Sequence, residues 1–195
     1  MSSKNSETRT RILKSSLELL EVGGGKGVRM SDIAKAAGIS RQALYLHFKT
    51  RAELLIATTH YLDDLKGSDD RLVASRTAKT GVERLDAFVT GWGGYIPEIY
   101  GSAKALMAVS DTDEAAAEAW ATRMQDMREG CEAAITALKR DQMLNPDHAP
   151  REATDILWTM LSVRNWEHLT IDCGWSQKKY IKVIKSMARD LLVAG

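Results

Sequence analysis

Apolar residues recur at three- and four-residue spacing along most of the chain, the period of an amphipathic helix rather than a strand. Ile12, Leu13, Leu17 and Leu20 share one face, which predicts a first helix over about residues 8–22. The run Gly23-Gly24-Gly25-Lys26-Gly27 should end it, because glycine tolerates the left-handed backbone of a helix C-terminus. As a phosphate-binding loop that run fails: no strand precedes it, and Gly27 rather than Ser or Thr follows Gly-Lys. A short second helix is predicted over 31–37, stopped at Gly38, and a third over 41–48 with Ser40 as its N-cap. Thr50 and Glu53 have capping-box spacing and start a fourth helix near residue 51, which carries Leu54, Leu55, Leu62 and Leu65 as far as Gly67.

Residues 67–80 are polar and read as a connection. Five further helices are expected: 82–96, stopped by Pro97; 102–109; 114–140; 151–172, entered through Pro150 and left at Gly174; and 177–193. The chain is therefore predicted to be all-α, with about nine helices. A three-helix head should occupy residues 1–50, helix 51–66 should connect, and residues 67–195 should form a larger helical body. Asp111, Asp113 and Glu114 precede the long helix. A cation site is one reading of them, but N-capping and complementation of the helix dipole explain them better.

Composition agrees with a folded helical chain: hydrophobic residues make up 44%, charged residues 27%, and Pro occurs 3 times in 195 residues. The net charge of +1 is uninformative, whereas its distribution is not. Residues 1–60 hold 10 Lys+Arg against 5 Asp+Glu, and the remainder 17 against 21. A basic first third on a slightly acidic remainder is the pattern of a nucleic-acid-binding head on a body with another task. Cys131 and Cys173 have no metal-ligand spacing and are too few for a disulfide framework, so buried, reduced thiols are expected. The polar start MSSKNSETRTR is no signal peptide and no apolar run could span a bilayer, which fits a cytoplasmic protein.

The segment Ser31 to Phe48 carries the most chemistry. Two short helices joined by Gly38-Ile39-Ser40 have the form of a helix-turn-helix. Ile33, Ala34 and Ala37 should pack inward, with Ile39, Leu44 and Phe48, leaving Arg41, Gln42, Ala43, Tyr45, Leu46 and His47 outward. Arg41 and Gln42, at the start of the third helix, are suited to base edges, Arg to guanine and Gln to adenine. Ala43 can touch a thymine methyl. Tyr45, His47 and Lys49 can reach phosphates, as can free amides opening the fourth helix. Ser31 and Ser40 begin the two helices and complete the candidate set, and Arg9, Arg11 and Arg29 add charge along the backbone. A three-helix packing unit with a polar surface and no DNA function has the same shape.

The stretch MSDIAKAAGISRQALYLHFKTRAELL, Met30 to Leu55, resembles the DNA-binding signature of tetracycline-repressor-like (TetR family) transcription regulators. The resemblance rests on Ile33-Ala34, Ala37-Gly38-Ile39-Ser40, Tyr45, His47-Phe48 and Glu53-Leu54, and Thr8 to Gly23 is similar to the family's first helix. It implies a bacterial regulator that binds a palindromic operator as a homodimer. In most such proteins a small molecule in the C-terminal domain respaces the two heads and releases DNA. It also places Arg41, Gln42, Ala43, Tyr45 and His47 on the recognition helix and Lys49 at a phosphate. Two departures stand out. Arg29 replaces the usual Thr or Ser cap of the second helix, leaving that cap missing or moved to Ser31. GGGKG replaces a single Gly followed by an aromatic.

In the body, Ile181, Ile184, Met187, Ala188 and Leu191 form one stripe. Leu157 and Leu161 belong to a broad apolar surface on the preceding helix. Together they are the candidate dimer face, a four-helix interface between two copies, with a purely internal core as the other reading. All five tryptophans lie in the body. Trp92, Tyr95, Met107, Trp120, Met124, Met127, Trp158 and Trp166 are the candidate walls of a site for a largely apolar or aromatic effector, although each fits plain core packing as well. Gly91, Gly93 and Gly94, inside a helical segment, suggest a kink or a helix surface left open for a ligand. Glu167 and His168 could add polar selectivity or simply pair in solvent. No cofactor or metal is expected. The leading expectation is a ligand-released repressor. A DNA-binding regulator without a small-molecule effector, controlled by a protein partner, is the alternative. An enzyme on a helical scaffold is a more remote one, since no nucleophile, base and orienting group stand at a suggestive spacing.

Overall fold

The computed structural model describes residues 2–23 and 28–194. The last four residues of the expected glycine stop, Gly24 to Gly27, and with them the GGGKG departure, lie outside the described residues. The rest is helical: α1 (Ser2–Gly23), α2 (Met30–Ala36), α3 (Arg41–His47), α4 (Arg51–Leu65), α5 (Ser68–Arg76), α6 (Gly81–Val109), α7 (Glu114–Arg140), α8 (Pro150–Met160), α9 (Val163–Glu167) and α10 (Gln177–Leu192). A π-helical turn, His168–Asp172, follows α9. Among the described residues the sole strand-like pairing is an isolated bridge between Leu144 and Val193.

The chain packs as two compact units. One comprises Met1–Lys66 with Ile99–Met124, the other Gly67–Glu98 with Gln125–Gly195. In the first, Ile12, Leu13 and Leu20 of α1 pack with Ile33, Ala34, Leu44, Phe48, Leu54 and Leu55, and with Leu106, Ala116 and Ala119 from α6 and α7. This core fixes the rotation of α3, because Leu44 and Phe48 are both fully buried.

Several boundaries differ from the sequence expectation, each for a physical reason. α1 begins six residues early, since its polar opening contains no Pro or Gly to stop it. The predicted connection at 67–80 contains α5, which buries little but Ser75 and so carries no apolar stripe to announce it. It is tied down by charge instead: Arg71 pairs with Glu98 and its guanidinium stands 5.6 Å over the Tyr95 ring.

Pro97 does not stop α6, and the two predicted helices on either side of it are one. Proline lacks the N–H that would bond the carbonyl four residues back, that of Gly93. Here the Gln177 side-chain amide donates to the Gly93 carbonyl instead, so no acceptor is stranded. Gly93 makes this possible, because a Cβ there would press on Ile181 at 3.2 Å and on the Tyr180 ring at 3.4 Å. Gly91 is tighter still: its Cβ would lie 2.7 Å from the Arg71 carbonyl oxygen. These two glycines therefore serve close helix packing rather than an opening for a ligand.

The predicted helix 151–172 is broken at Leu161. Ser162 accepts from the Asn165 N–H (3.1 Å) and caps α9, while the Leu161 carbonyl accepts the indole N–H of Trp92 at 2.9 Å. Cys131 is buried as expected, and burial pushes its thiol well above the usual range. Cys173, expected to be buried, is exposed just after the π-helical turn.

Candidate nucleic-acid interface

α2 ends in a Schellman turn. The Gly38 N–H bonds to the Lys35 carbonyl (3.1 Å), the Ile39 N–H to the Ala34 carbonyl (3.0 Å), and Gly38 takes φ +65°, which costs glycine nothing. Ser40 then caps α3 by accepting from the Ala43 N–H at 3.0 Å. With the inner side of α3 pinned by Leu44 and Phe48, the outer side is settled. Arg41, Gln42, Tyr45 and Leu46 are exposed, Ala43 and His47 half-buried, and Lys49 exposed just beyond. The Arg41 guanidinium lies 5.7 Å from the centre of the Tyr45 ring and its Nη2 reaches the Tyr45 hydroxyl at 3.5 Å, so Tyr45 restrains the arginine.

At the start of α2, Arg29 occupies the cap position and makes no side-chain cap, and exposed Ser31 does not replace it. The cap is missing rather than shifted. Arg51 supports this region instead. Its Nε donates to the Val28 carbonyl and its Nη1 to Asp113 Oδ1, both at 2.5 Å. Asp113 also caps α7 through the Ala116 N–H (3.2 Å), so of the three acidic residues near this end it is Asp113 that supplies the cap. The Arg51 hydrogen bond is the main cause holding the Asp113 carboxyl below its ordinary value; desolvation opposes it. Arg29, Ser31, Arg41 and Tyr45 line one open cleft of about 560 Å³ together with Arg51 and Asp113.

Some expected phosphate donors are engaged within the chain. Arg11 Nε bonds to the Ala37 carbonyl at 2.8 Å, and the Arg9 guanidinium stacks 4.6 Å over the Phe48 ring. Of the amides opening α4, that of Glu53 bonds to Thr50 Oγ1 (3.0 Å), and that of Lys49 bonds to Glu53 Oε2 (2.8 Å). This capping box closes one residue further out than the sequence pattern states. Sequence reading assigned no role to Arg51 and left Leu46 out of the contact set. The first is found only through a partner 62 positions away.

The candidate effector residues fall in both units. Met107, Trp120 and Met124 belong to the first unit, and Trp92, Tyr95, Met127, Trp158 and Trp166 to the second. Trp92 and Trp166 spend their indole N–H groups internally, on Leu161 and on Gln177 Oε1 (2.8 Å). The Trp158 ring lies 5.8 Å below Arg128. Trp120 lines a cavity of about 10 Å³ with Thr59, Leu62, Asp63, Leu106 and Arg123, room for a single water. His168 pairs with Asp172 at 2.9 Å, exposed to solvent. Among the described residues no cluster of His, Cys, Asp and Glu could hold a metal, and no helix is long and apolar enough to cross a membrane.

The candidate dimer face divides. Leu157, Leu161, Ile184 and Ala188 are buried within the chain. Ile181 is partly exposed, and Met187 and Leu191 are exposed beside the buried stripe of α10.

Residues 12–58 match the family described as bacterial regulatory proteins, tetR family. The chain is 41% identical over 56 residues to the HTH-type transcriptional regulator CymR of Pseudomonas putida, a match covering 29% of this chain and 28% of that one. It spans about half the length, or less, of the curated relatives it matches. Among solved structures it is similar to a TetR-family transcriptional regulator of Rhodococcus sp., with TM-score 0.74, 22% identity and coverage of 96% and 99% of the two chains. It is also similar to NalD, the secondary repressor of the MexAB-OprM multidrug efflux pump in Pseudomonas aeruginosa, with TM-score 0.67, 20% identity and 98% of each chain covered.

Proposed function

We propose that the chain, which matches the tetR family of bacterial regulatory proteins over residues 12–58 and shares the fold of a TetR-family structure, is a homodimeric repressor released from a palindromic operator by a small, largely apolar effector. The observation that carries the reading is α3: its inner side is locked by Leu44 and Phe48, and its outer side offers Arg41, Gln42 and Tyr45 to a duplex. Arg41 and Gln42 read base edges in the major groove. Tyr45, His47 and Lys49 hold phosphates, and Arg29, Ser31 and Ser40 stand at the backbone on either side. Ala43, half-buried, makes at most a short apolar contact.

The second copy packs against α10, where Met187 and Leu191 leave apolar surface uncovered next to Ile181. The name of NalD supports repression as the output. Effector control is supported by the surroundings of Trp120. Its cavity holds only about 10 Å³ in this conformation, and an effector would select a wider one. Arg123 pairs with Asp63 at 2.8 Å beside that cavity, both largely covered, which ties α7 to α4. A ligand that parts this pair would act on the helix that begins directly behind the reading head.

Titration of the protein–operator complex with apolar and aromatic compounds tests the reading. Loss of operator affinity with a saturable dependence on one compound supports it. Operator affinity indifferent to every compound, yet changed by a protein partner, would establish the effector-free regulator in its place. Turnover of a metabolite by a folded preparation with no DNA preference would favour an enzyme.

A further inference from the structure

We propose that Leu46 reads sequence: its side chain packs on the C5-methyl group of a thymine in the major groove, beside the base faced by Gln42. The inference rests on α3 entering that groove. A lone exposed leucine is ordinary on a protein surface, so exposure alone decides nothing. Position decides. Leu46 is 85% exposed on a seven-residue helix whose opposite side is fully buried. At 100° per residue it lies about 40° around the helix from Gln42, about 100° from Tyr45 and about 140° from Arg41, all of them exposed. The other three side chains carry donors or acceptors for bases and phosphates. Leu46 carries none, and the apolar group that a base pair presents on its major-groove edge is the thymine methyl.

Ala43, the earlier candidate for this contact, is half-buried and its side chain is a single methyl. Leu46 has the longer reach and the uncovered surface. The burial of Leu44 keeps the Cα–Cβ direction of Leu46 pointed outward.

The test begins with the duplex that the full-length protein selects from random DNA. Each thymine of a half-site is replaced in turn by deoxyuridine, which removes the methyl group and nothing else. One position per half-site should weaken the wild-type protein about four-fold, the worth of one buried methyl, and about 16-fold when both half-sites are changed. Leu46→Ala should bind the thymine and uracil duplexes equally, while still losing affinity when the bases facing Arg41 and Gln42 are exchanged. Its thermal unfolding should match wild type, since the side chain touches no core. A wild-type protein indifferent to deoxyuridine at every position, a selected site without thymine, or a uracil penalty that persists in Leu46→Ala overturns the role of Leu46 and leaves DNA binding standing. Selection that enriches no sequence removes the groove reading and this inference together.

Discussion

Around α2, α3 and α4 the helix boundaries are set by side chains that are present. Ser40 and Thr50 cap, Gly38 turns, and Leu44 and Phe48 fix the rotation. Around α6 the packing is set by side chains that are absent. A Cβ on Gly81 would fall 2.6 Å from the backbone of Ala137 and Leu138, one on Gly91 2.7 Å from the Arg71 carbonyl, and one on Gly130 2.5 Å from the Phe88 ring. The first arrangement leaves an outer surface free to carry information for a partner. The second uses its residues to bring helices together. The same residue type therefore means different things in the two regions: Gly38 is a turn, Gly91 a contact.

The severest way to break the second arrangement is Gln177→Leu. It strands both the Gly93 carbonyl left by Pro97 and the indole N–H of Trp166. Each buried orphan costs about 1–3 kcal/mol, so denaturant unfolding should show a loss of about 2–6 kcal/mol. A loss under about 1 kcal/mol would mean that α6 passes Pro97 by other means. The glycines sharpen the contrast inside one helix. Gly91→Ala should destabilise by about 1–3 kcal/mol through overpacking. Gly94→Ala, with nothing within 4 Å of its Cβ, should stabilise by up to about 1 kcal/mol through helix propensity. Equal effects at the two positions, read by thermal melts, would show that packing does not separate them.

In the head the corresponding contrast is between reading and holding. Arg41→Ala should cost about 1–3 kcal/mol of operator binding and relax the base preference. Lys49→Ala should weaken all sequences alike and lower the salt slope by about one unit. Exchange of these two outcomes would reverse the roles. The smallest effect concerns Asp113. Because Arg51 depresses its folded-state pKa, its contribution is present above the ordinary value of 3.8 and is lost as pH falls through the lower folded value. Asp113→Asn keeps the cap acceptor but not the charge. The stability difference between wild type and variant should therefore be constant above about pH 5 and shrink below about pH 4. A difference independent of pH would remove the ion pair as its source.

What the sequence discloses follows the same line. The head was legible because its signals are local. Ser40 precedes Arg41 by one position, Thr50 and Glu53 are three apart, and Leu44 and Phe48 repeat at four. That Arg29 leaves the α2 cap missing or moved to Ser31 was legible too, but the support from Arg51 was not, since Arg51 finds Asp113 across 62 positions. In the body Pro97 read as a stop because its remedy, Gln177, lies 80 positions on, and no local pattern announces that pairing. α5 was invisible because charge rather than an apolar stripe holds it. The stripe of α10 was found correctly as apolar, but a stripe does not say what covers it. Ile184 and Ala188 face the chain's own core, and Met187 and Leu191 beside them do not.

Selection of bound sites from random duplex DNA bears on the outer side of α3 most directly. An inverted repeat should be recovered, with half-site centres one helical turn apart or a multiple of it, each turn roughly 34–36 Å, and Arg41→Ala should change the recovered half-site. Recovery of no common sequence, or of the same half-site from wild type and from a protein altered at Arg41, Gln42 and Tyr45 together, would contradict the assignment of that surface to DNA.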